Sequence, residues 1–114
     1  MTLRQKQSLF AKQAARLILK AYALGYEVTL GEALRSPGQA AANAASGIGI
    51  ANSLHCLKLA VDLNLFLDGK YLSSSESHRP LGEWWEVQHE LARWGGRFSR
   101  PDGNHYSFAH NGRA

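Results

Sequence analysis

The sequence predicts an α+β domain, a small antiparallel sheet with helices packed on one side. Three observations predict it. An apolar stripe at helical spacing opens the chain, a run of apolar alternation occupies its middle, and a hairpin turn signal follows that run directly. The 114 residues argue for one domain, 1–114. An apolar content of 45% is enough to bury a core and excludes wholesale disorder.

Each element has its own signal. Thr2 reads as a helix N-cap. Leu3, Phe10, Ala14, Leu17, Ala21 and Leu24 then share one helical stripe, and Gly25 fits as the stop. Residues 26–35, YEVTLGEALR, carry β-branched and aromatic residues with partial alternation and read as a strand. Pro37 can open a short helix over GQAAANAA, and 46–53 read as a loop. In LKLAVDLNLFL the residues Leu57, Leu59, Val61, Leu63, Leu65 and Leu67 take one face of a strand. Lys58, Ala60, Asp62, Asn64 and Phe66 take the other. Asp68-Gly69 is a hairpin turn, and KYL returns. SSSESHRP reads as a polar loop. LGEWWEVQHELARW reads as a helix with Leu81, Trp84, Val87, Leu91 and Trp94 on one stripe, ended by Gly95-Gly96. RFSRPDGNHYSFA reads as two short strands around a Pro-Asp-Gly-Asn turn.

Composition narrows the function classes. One cysteine, Cys56, excludes an intramolecular disulfide framework. Small domains without disulfides often rely on a metal instead. The charged first helix does not read as a signal peptide, and no apolar run is long enough to span a bilayer. The expected site of synthesis is the cytoplasm, with no stable membrane insertion. A net charge of +4 favours polyanionic partners, whether nucleic acid, an anionic membrane or an acidic wall polymer. No basic cluster interleaved with aromatics and no reader motif appears, which argues against nucleic acid.

Asp62 raises the functional question. It sits on the strand face opposite the leucines, which is either a solvated face or the wall of a cleft. His55 and His105 are its candidate partners. Two His and one Asp match the three protein ligands of a catalytic zinc, whereas a structural zinc takes four Cys or His. Seven fully extended residues span roughly 23 Å. Common ligation of His55 and Asp62 therefore requires a bend near 56–58, with the strand beginning near Leu59. By type alone, Asp102 reads as a turn residue and Arg35 as a surface residue before Ser36-Pro37. Cys56 reads as a small buried residue, His89 as solvated, and His110 as part of a frayed tail. Trp84 and Trp94 read as core rather than as a sugar-stacking platform.

Three segments resemble the zinc D-Ala-D-Ala carboxypeptidase family, in particular its short phage endolysin members of L-alanyl-D-glutamate peptidase type. GYEVTLGEALRSPGQ matches a strand ending in Arg, followed by Ser-Pro and a Gln. SLHCLKLAVDLNLF resembles the box S-x-H-x-x-G-x-A-x-D. LARWGGRFSRPDGNHYSF resembles the closing segment with W-G-G and D-x-x-H. Lys58 stands where the box has Gly, so the backbone between His55 and Asp62 is the point of departure.

The resemblance implies a Hedgehog/D-Ala-D-Ala-peptidase-like zinc fold and a role for each matching position. His55, Asp62 and His105 bind zinc, Asp102 is the general base, and Arg35 stabilises the developing oxyanion. Ser53 orients its surroundings and His78 lines the cleft, both as substrate-binding residues. The expected protein is a monomeric zinc metallopeptidase. It cuts peptidoglycan stem peptides at L-Ala–D-Glu as a phage or prophage endolysin. It is held in the cytoplasm of the producing cell until lysis and acts afterwards in the periplasm and cell wall. The alternatives are a D-Ala-D-Ala carboxypeptidase of the same family and an inactive zinc-containing wall-binding module.

Overall fold

The computed structural model describes residues 1–33 and 54–114. The end of the 26–35 strand, the short helix after Pro37, the 46–53 loop, Arg35 and Ser53 lie outside them. Helix α1 runs Leu3–Ala23 and is capped as its sequence predicts. The Thr2 hydroxyl accepts from the Gln5 N–H and the Gln5 side chain accepts from the Thr2 N–H, forming a capping box. The stop is Gly25, at φ +94°.

Strand β1, Glu27–Leu30, pairs antiparallel with β2, Ala60–Leu67, with Leu30 opposite Leu63. Strand β3, Lys70–Tyr71, pairs with the end of β2 across the Asp68-Gly69 turn. Both turn residues have positive φ, 51° and 77°, as the primed hairpin turn demands. On its other side β2 pairs with β5, His105–Phe108, which in turn pairs with β4, Ala92–Trp94. The sheet order is β1-β2-β5-β4, all antiparallel.

The alternation in β2 is real. Val61, Leu63 and Leu65 are buried and share the helix-facing side with Tyr106 and Phe108. Phe10 of α1 meets Phe108 and Trp85 edge-on, at centroid distances of 5.3 and 5.9 Å. Each fully buried leucine on this face contributes about 1.5–3 kcal/mol. Both helices therefore cover one side of the sheet and leave Asp62 on the other.

The second half departs from the sequence reading. The segment read as loop 73–80 holds a 3₁₀ turn, Ser75–His78, and helix α2 starts directly after it at Arg79. Helix α2 ends at Glu86, and 92–94 form β4 instead of continuing the helix to Trp94. A 3.6-residue stripe can be drawn through Leu81, Trp84, Val87, Leu91 and Trp94, but the structure buries a different set. Trp85 is fully buried, Val87 is 78% exposed, and Trp84 is half-buried beneath Arg16 and Lys20. The competing force is the sheet, because extended 92–94 satisfies the free edge of β5. Only one strand follows, since Gly95–Arg97 form a 3₁₀ turn rather than the expected first strand. His89 is half-buried, stacked on Phe108 at 5.0 Å with Nδ1 accepting from the Leu91 N–H. His110 is tied down by a bridge to Arg113 and by Lys6, 2.9 Å from its Nδ1.

Trp94 fixes the corner next to the site. Its indole N–H donates to the Gly103 carbonyl at 2.7 Å, and Arg79 and Arg97 lie over the ring. A Cβ on Gly82 or on Gly96 would overlap the indole. Gly82→Ala therefore tests whether packing outweighs propensity. Alanine improves the helix by about 1 kcal/mol, but the hydrogen-bonded, 1% exposed Trp94 has nowhere to move. The expected net loss is about 1–3 kcal/mol, read as a melting temperature lower by roughly 4–8 °C per kcal/mol. An unchanged or raised melting temperature would show that the indole can shift.

Candidate metal centre

The site is assembled by strand register and one sharp bend. Asp62 and His105 are directly opposite each other across β2 and β5. Cross-strand neighbours point to the same face about 5 Å apart, so this pairing alone brings carboxylate and imidazole together. On its other flank Asp62 is held by two residues. Its carbonyl accepts from the Gly31 N–H at 2.9 Å and its N–H donates to the Glu32 carbonyl at 2.7 Å, the two-against-one arrangement of a β-bulge. Gly31 lies so close that a Cβ there would sit 3.1 Å from the Asp62 Cβ.

His55 comes from a 3₁₀ turn, Leu54–Leu57. Lys58 follows with φ 57°, and the strand starts at Ala60. This is the bend that joint ligation requires, and it falls where the sequence reading put it. The position is also where the resembling box carries Gly, and the φ explains why, since the left-handed region costs a side-chain-bearing residue about 1–2 kcal/mol. Lys58 adopts the conformation with its side chain exposed. Cys56 is half-buried rather than buried.

His55 Nε2 lies 3.3 Å from Asp62 Oδ1, and His105 Nδ1 lies 3.5 Å from the same oxygen. The two imidazole rings are 5.3 Å apart, and one donor atom from each of the three residues falls within 4.8 Å of the others. His55 and His105 are buried. Burial works to raise the Asp62 pKa, but the two imidazoles beside it, His105 and His55, outweigh burial and hold the carboxyl down at about 2. His55 Nδ1 is 3.3 Å from the Ala33 carbonyl. A carbonyl can only accept, so Nδ1 carries the proton and the Nε2 lone pair faces the carboxylate. Lone pair against anion is repulsive unless a proton or a metal cation lies between them. Asp62 Oδ1 and His105 Nε2 are buried without a hydrogen-bond partner among the described residues. Two imidazole nitrogens and one carboxylate oxygen are the donor set of a catalytic zinc with an open fourth position. The residues fit that ion.

Asp102 sits on the turn between the 3₁₀ segment and β5. Its carbonyl accepts from the His105 N–H at 3.0 Å, and its N–H donates to the Gly95 carbonyl at 2.9 Å. The turn character read from the sequence is real, and the same turn joins the backbone of Asp102 to that of His105. Gly95 is obligatory here, because a Cβ would overlap the Asp102 carbonyl and come within 2.8 Å of the His105 Cβ. His78 is buried, with Nδ1 2.8 Å from the Tyr106 hydroxyl, and it lines a cleft that Asp102 also lines. The Ala33 carbonyl and the Tyr106 hydroxyl escaped the sequence reading. A backbone carbonyl carries no residue-type signal, and Tyr106 reads only as part of a short strand after the Pro-Asp-Gly-Asn turn.

The family model described as D-alanyl-D-alanine carboxypeptidase matches residues 46–108, more than half of the chain. The chain belongs to the D-alanyl-D-alanine carboxypeptidase family. The match takes in the His55 turn, Asp62, Asp102 and His105 in one span. Among solved structures, the L-Ala D-Glu endopeptidase ChiX of Serratia marcescens superposes with a TM-score of 0.64 and 20% identity. The alignment covers 83% of this chain and 77% of that one. At that identity the likeness is one of fold, and it gives the α+β architecture to this peptidase-family chain. No curated protein matches in sequence.

Two expectations follow from this geometry. Lys58→Gly removes the left-handed penalty but adds freedom to the unfolded chain, about 0.4–1 kcal/mol. Stability in denaturant should therefore hold within about 1 kcal/mol, while Lys58→Val should lose more. A large loss for Lys58→Gly would mean that the lysine side chain itself holds the bend. The second expectation concerns pH. Burial pushes His78 from the ordinary value of 6.5 down to about 4. Between those values the unfolded chain binds a proton that the native state refuses, so stability falls as pH drops from 6.5 to 4. The contribution lost is up to about 3 kcal/mol. Denaturation of wild type and His78→Gln across that window should give a shallower slope for the variant, and identical slopes would remove His78 as the cause.

Proposed function

We propose that this peptidase-family chain is a zinc-dependent hydrolase of peptidoglycan stem peptides, cutting at L-Ala–D-Glu and serving as a phage or prophage endolysin. The observation that carries the zinc reading is the convergence of His55, Asp62 and His105, with one donor atom each within 4.8 Å. The bond specificity rests on the resemblance to the endolysin type and on the ChiX fold likeness. The family description favours D-Ala-D-Ala as the second reading.

Zinc held by these three residues would supply Lewis acidity and a water whose pKa is brought towards 7. The chain's own residues then divide the remaining work. Asp102 takes the proton from the attacking water and delivers it to the leaving amine. Arg35, with its fixed planar charge, stabilises the carbonyl oxygen as it becomes negative. The Ala33 carbonyl keeps His55 in the tautomer that presents Nε2. Ser53 and His78 are the substrate-binding residues of this reading. This reading has the protein monomeric and held in the producing cell until lysis, acting afterwards on the wall. No helix among the described residues is long and apolar enough to cross a membrane.

The test is mass analysis of purified peptidoglycan digested with zinc-loaded protein. New N-terminal D-Glu is expected, release of D-Ala alone would favour the carboxypeptidase reading, and no cleavage would leave an inactive module. Asp102→Asn should keep one zinc per chain and lose cleavage, whereas His55→Ala, Asp62→Ala and His105→Ala should lose both. Arg35→Ala should remain zinc-loaded and slow by on the order of 10²–10³ in turnover, with Arg35→Lys partly restored. Zinc loss in Asp102→Asn, or full activity in Arg35→Ala, would reassign that residue.

A further inference from the structure

The positive charge of this chain is concentrated on one element. Helix α1 carries Arg4, Lys6, Lys12, Arg16 and Lys20, five of the thirteen basic residues, and none of the nine acidic ones. The rest of the chain holds eight basic residues against nine acidic, a net charge of one unit negative. Among the described residues no ion pair joins any of the five to an acidic group, and residues 34–53 contain no Asp or Glu that could supply one. On α2, Glu83 and Glu86 are taken up by Arg79 and Arg97.

The placement of these charges on the helix defines a face. At about 100° per residue, Arg4, Lys12, Arg16, Leu19 and Tyr22 fall within an arc of about 120°. All five are exposed, and the buried Phe10, Leu17 and Ala21 lie on the opposite side against the sheet. From Arg4 to Tyr22 the face is roughly 27 Å long. Leu19 is 71% exposed and Tyr22 52%. Arg16 donates to the Gln88 side chain, which extends the face to the exposed Val87.

We propose that the outer face of α1 docks on an anionic lipid surface, with Arg4, Lys12 and Arg16 on the headgroup phosphates and Leu19 and Tyr22 at the acyl boundary. Charge selects a polyanion, and the apolar side chains select a bilayer among polyanions. A soluble polyphosphate or a nucleic acid backbone would leave Leu19 in water, whereas the headgroup boundary of a membrane takes up both side-chain classes. The helix lies on the surface and does not cross it. Because α1 and Asp62 are on opposite sides of the sheet, the docked chain keeps its candidate metal centre facing away from the lipid.

The test is cosedimentation of the full chain with vesicles of phosphatidylglycerol and phosphatidylcholine in equal parts, against phosphatidylcholine alone. Binding to the mixed vesicles at low salt, little to the neutral ones, and loss on addition of NaCl are expected. Replacing Arg4 and Lys12 together by Gln should weaken partition roughly 30-fold, at about fivefold per charge. Leu19→Ser should weaken it roughly three- to tenfold. All three side chains are exposed, so the melting temperature should not change. Wild-type protein that stays in the supernatant at low salt, or sediments equally with neutral vesicles, overturns the proposal. So does vesicle binding indifferent to Leu19→Ser and displaced by soluble polyphosphate or duplex DNA, which would make the partner an anionic polymer. None of these outcomes bears on the peptidase reading.

Discussion

One carboxylate oxygen faced by two imidazoles is the interaction on which this structure depends. Asp62 Oδ1 lies 3.3 Å from His55 and 3.5 Å from His105, in a setting buried enough that water cannot satisfy it. Such a group is costly unless a proton or a metal cation shares it. Two consequences follow for the fold. The strand carrying Asp62 has to be central, paired on both flanks, so that the carboxylate cannot swing away. The chain before it has to double back sharply, so that His55 approaches from the same side.

Backbone constraints meet these demands more than side-chain packing does. The bulge formed by Gly31 and Glu32 clamps Asp62 on one flank, and the β5 register clamps it on the other. Lys58 makes the turn at φ 57°, spending a small amount of stability on geometry that a glycine would adopt freely. The Trp94 corner does the same for Asp102. An indole hydrogen-bonded to Gly103, with glycines at 82 and 96 leaving it room, sets the turn from which Asp102 and His105 project. The candidate metal ligands and the proposed base are thereby mounted on two central strands and the turns that lead into them, as a site acting by preorganised charge requires.

The helix side of the sheet supplies stability and the opposite side supplies chemistry. Val61, Leu63, Leu65, Tyr106 and Phe108 pack beneath α1 and α2. Tyr106 joins the two sides. It belongs to the core by burial, yet its hydroxyl reaches His78 at the cleft. A single strand, β5, therefore carries a metal-ligand candidate, His105, directly beside Tyr106, which is both a core anchor and the partner of a cleft histidine.

Period-2 alternation made β2 and the face of Asp62 legible in the sequence, because a strand with one buried side must alternate. The Thr2 N-cap, Gly25 and Asp68-Gly69 were legible because local hydrogen bonding and positive φ restrict residue type. The need for a bend between His55 and Asp62 followed from chain reach alone. The resemblance marked Asp102 and Arg35, which residue type by itself left as a turn and a surface residue. The tertiary structure alone decided that 92–94 form a strand, since a stripe through Trp94 suits a helix equally well until β5 offers an edge. It also decided that Trp85 rather than Trp84 is core. Local sequence fixes periodicity and turns, but which periodicity prevails, and which backbone carbonyl holds a histidine in place, depends on partners distant in the chain.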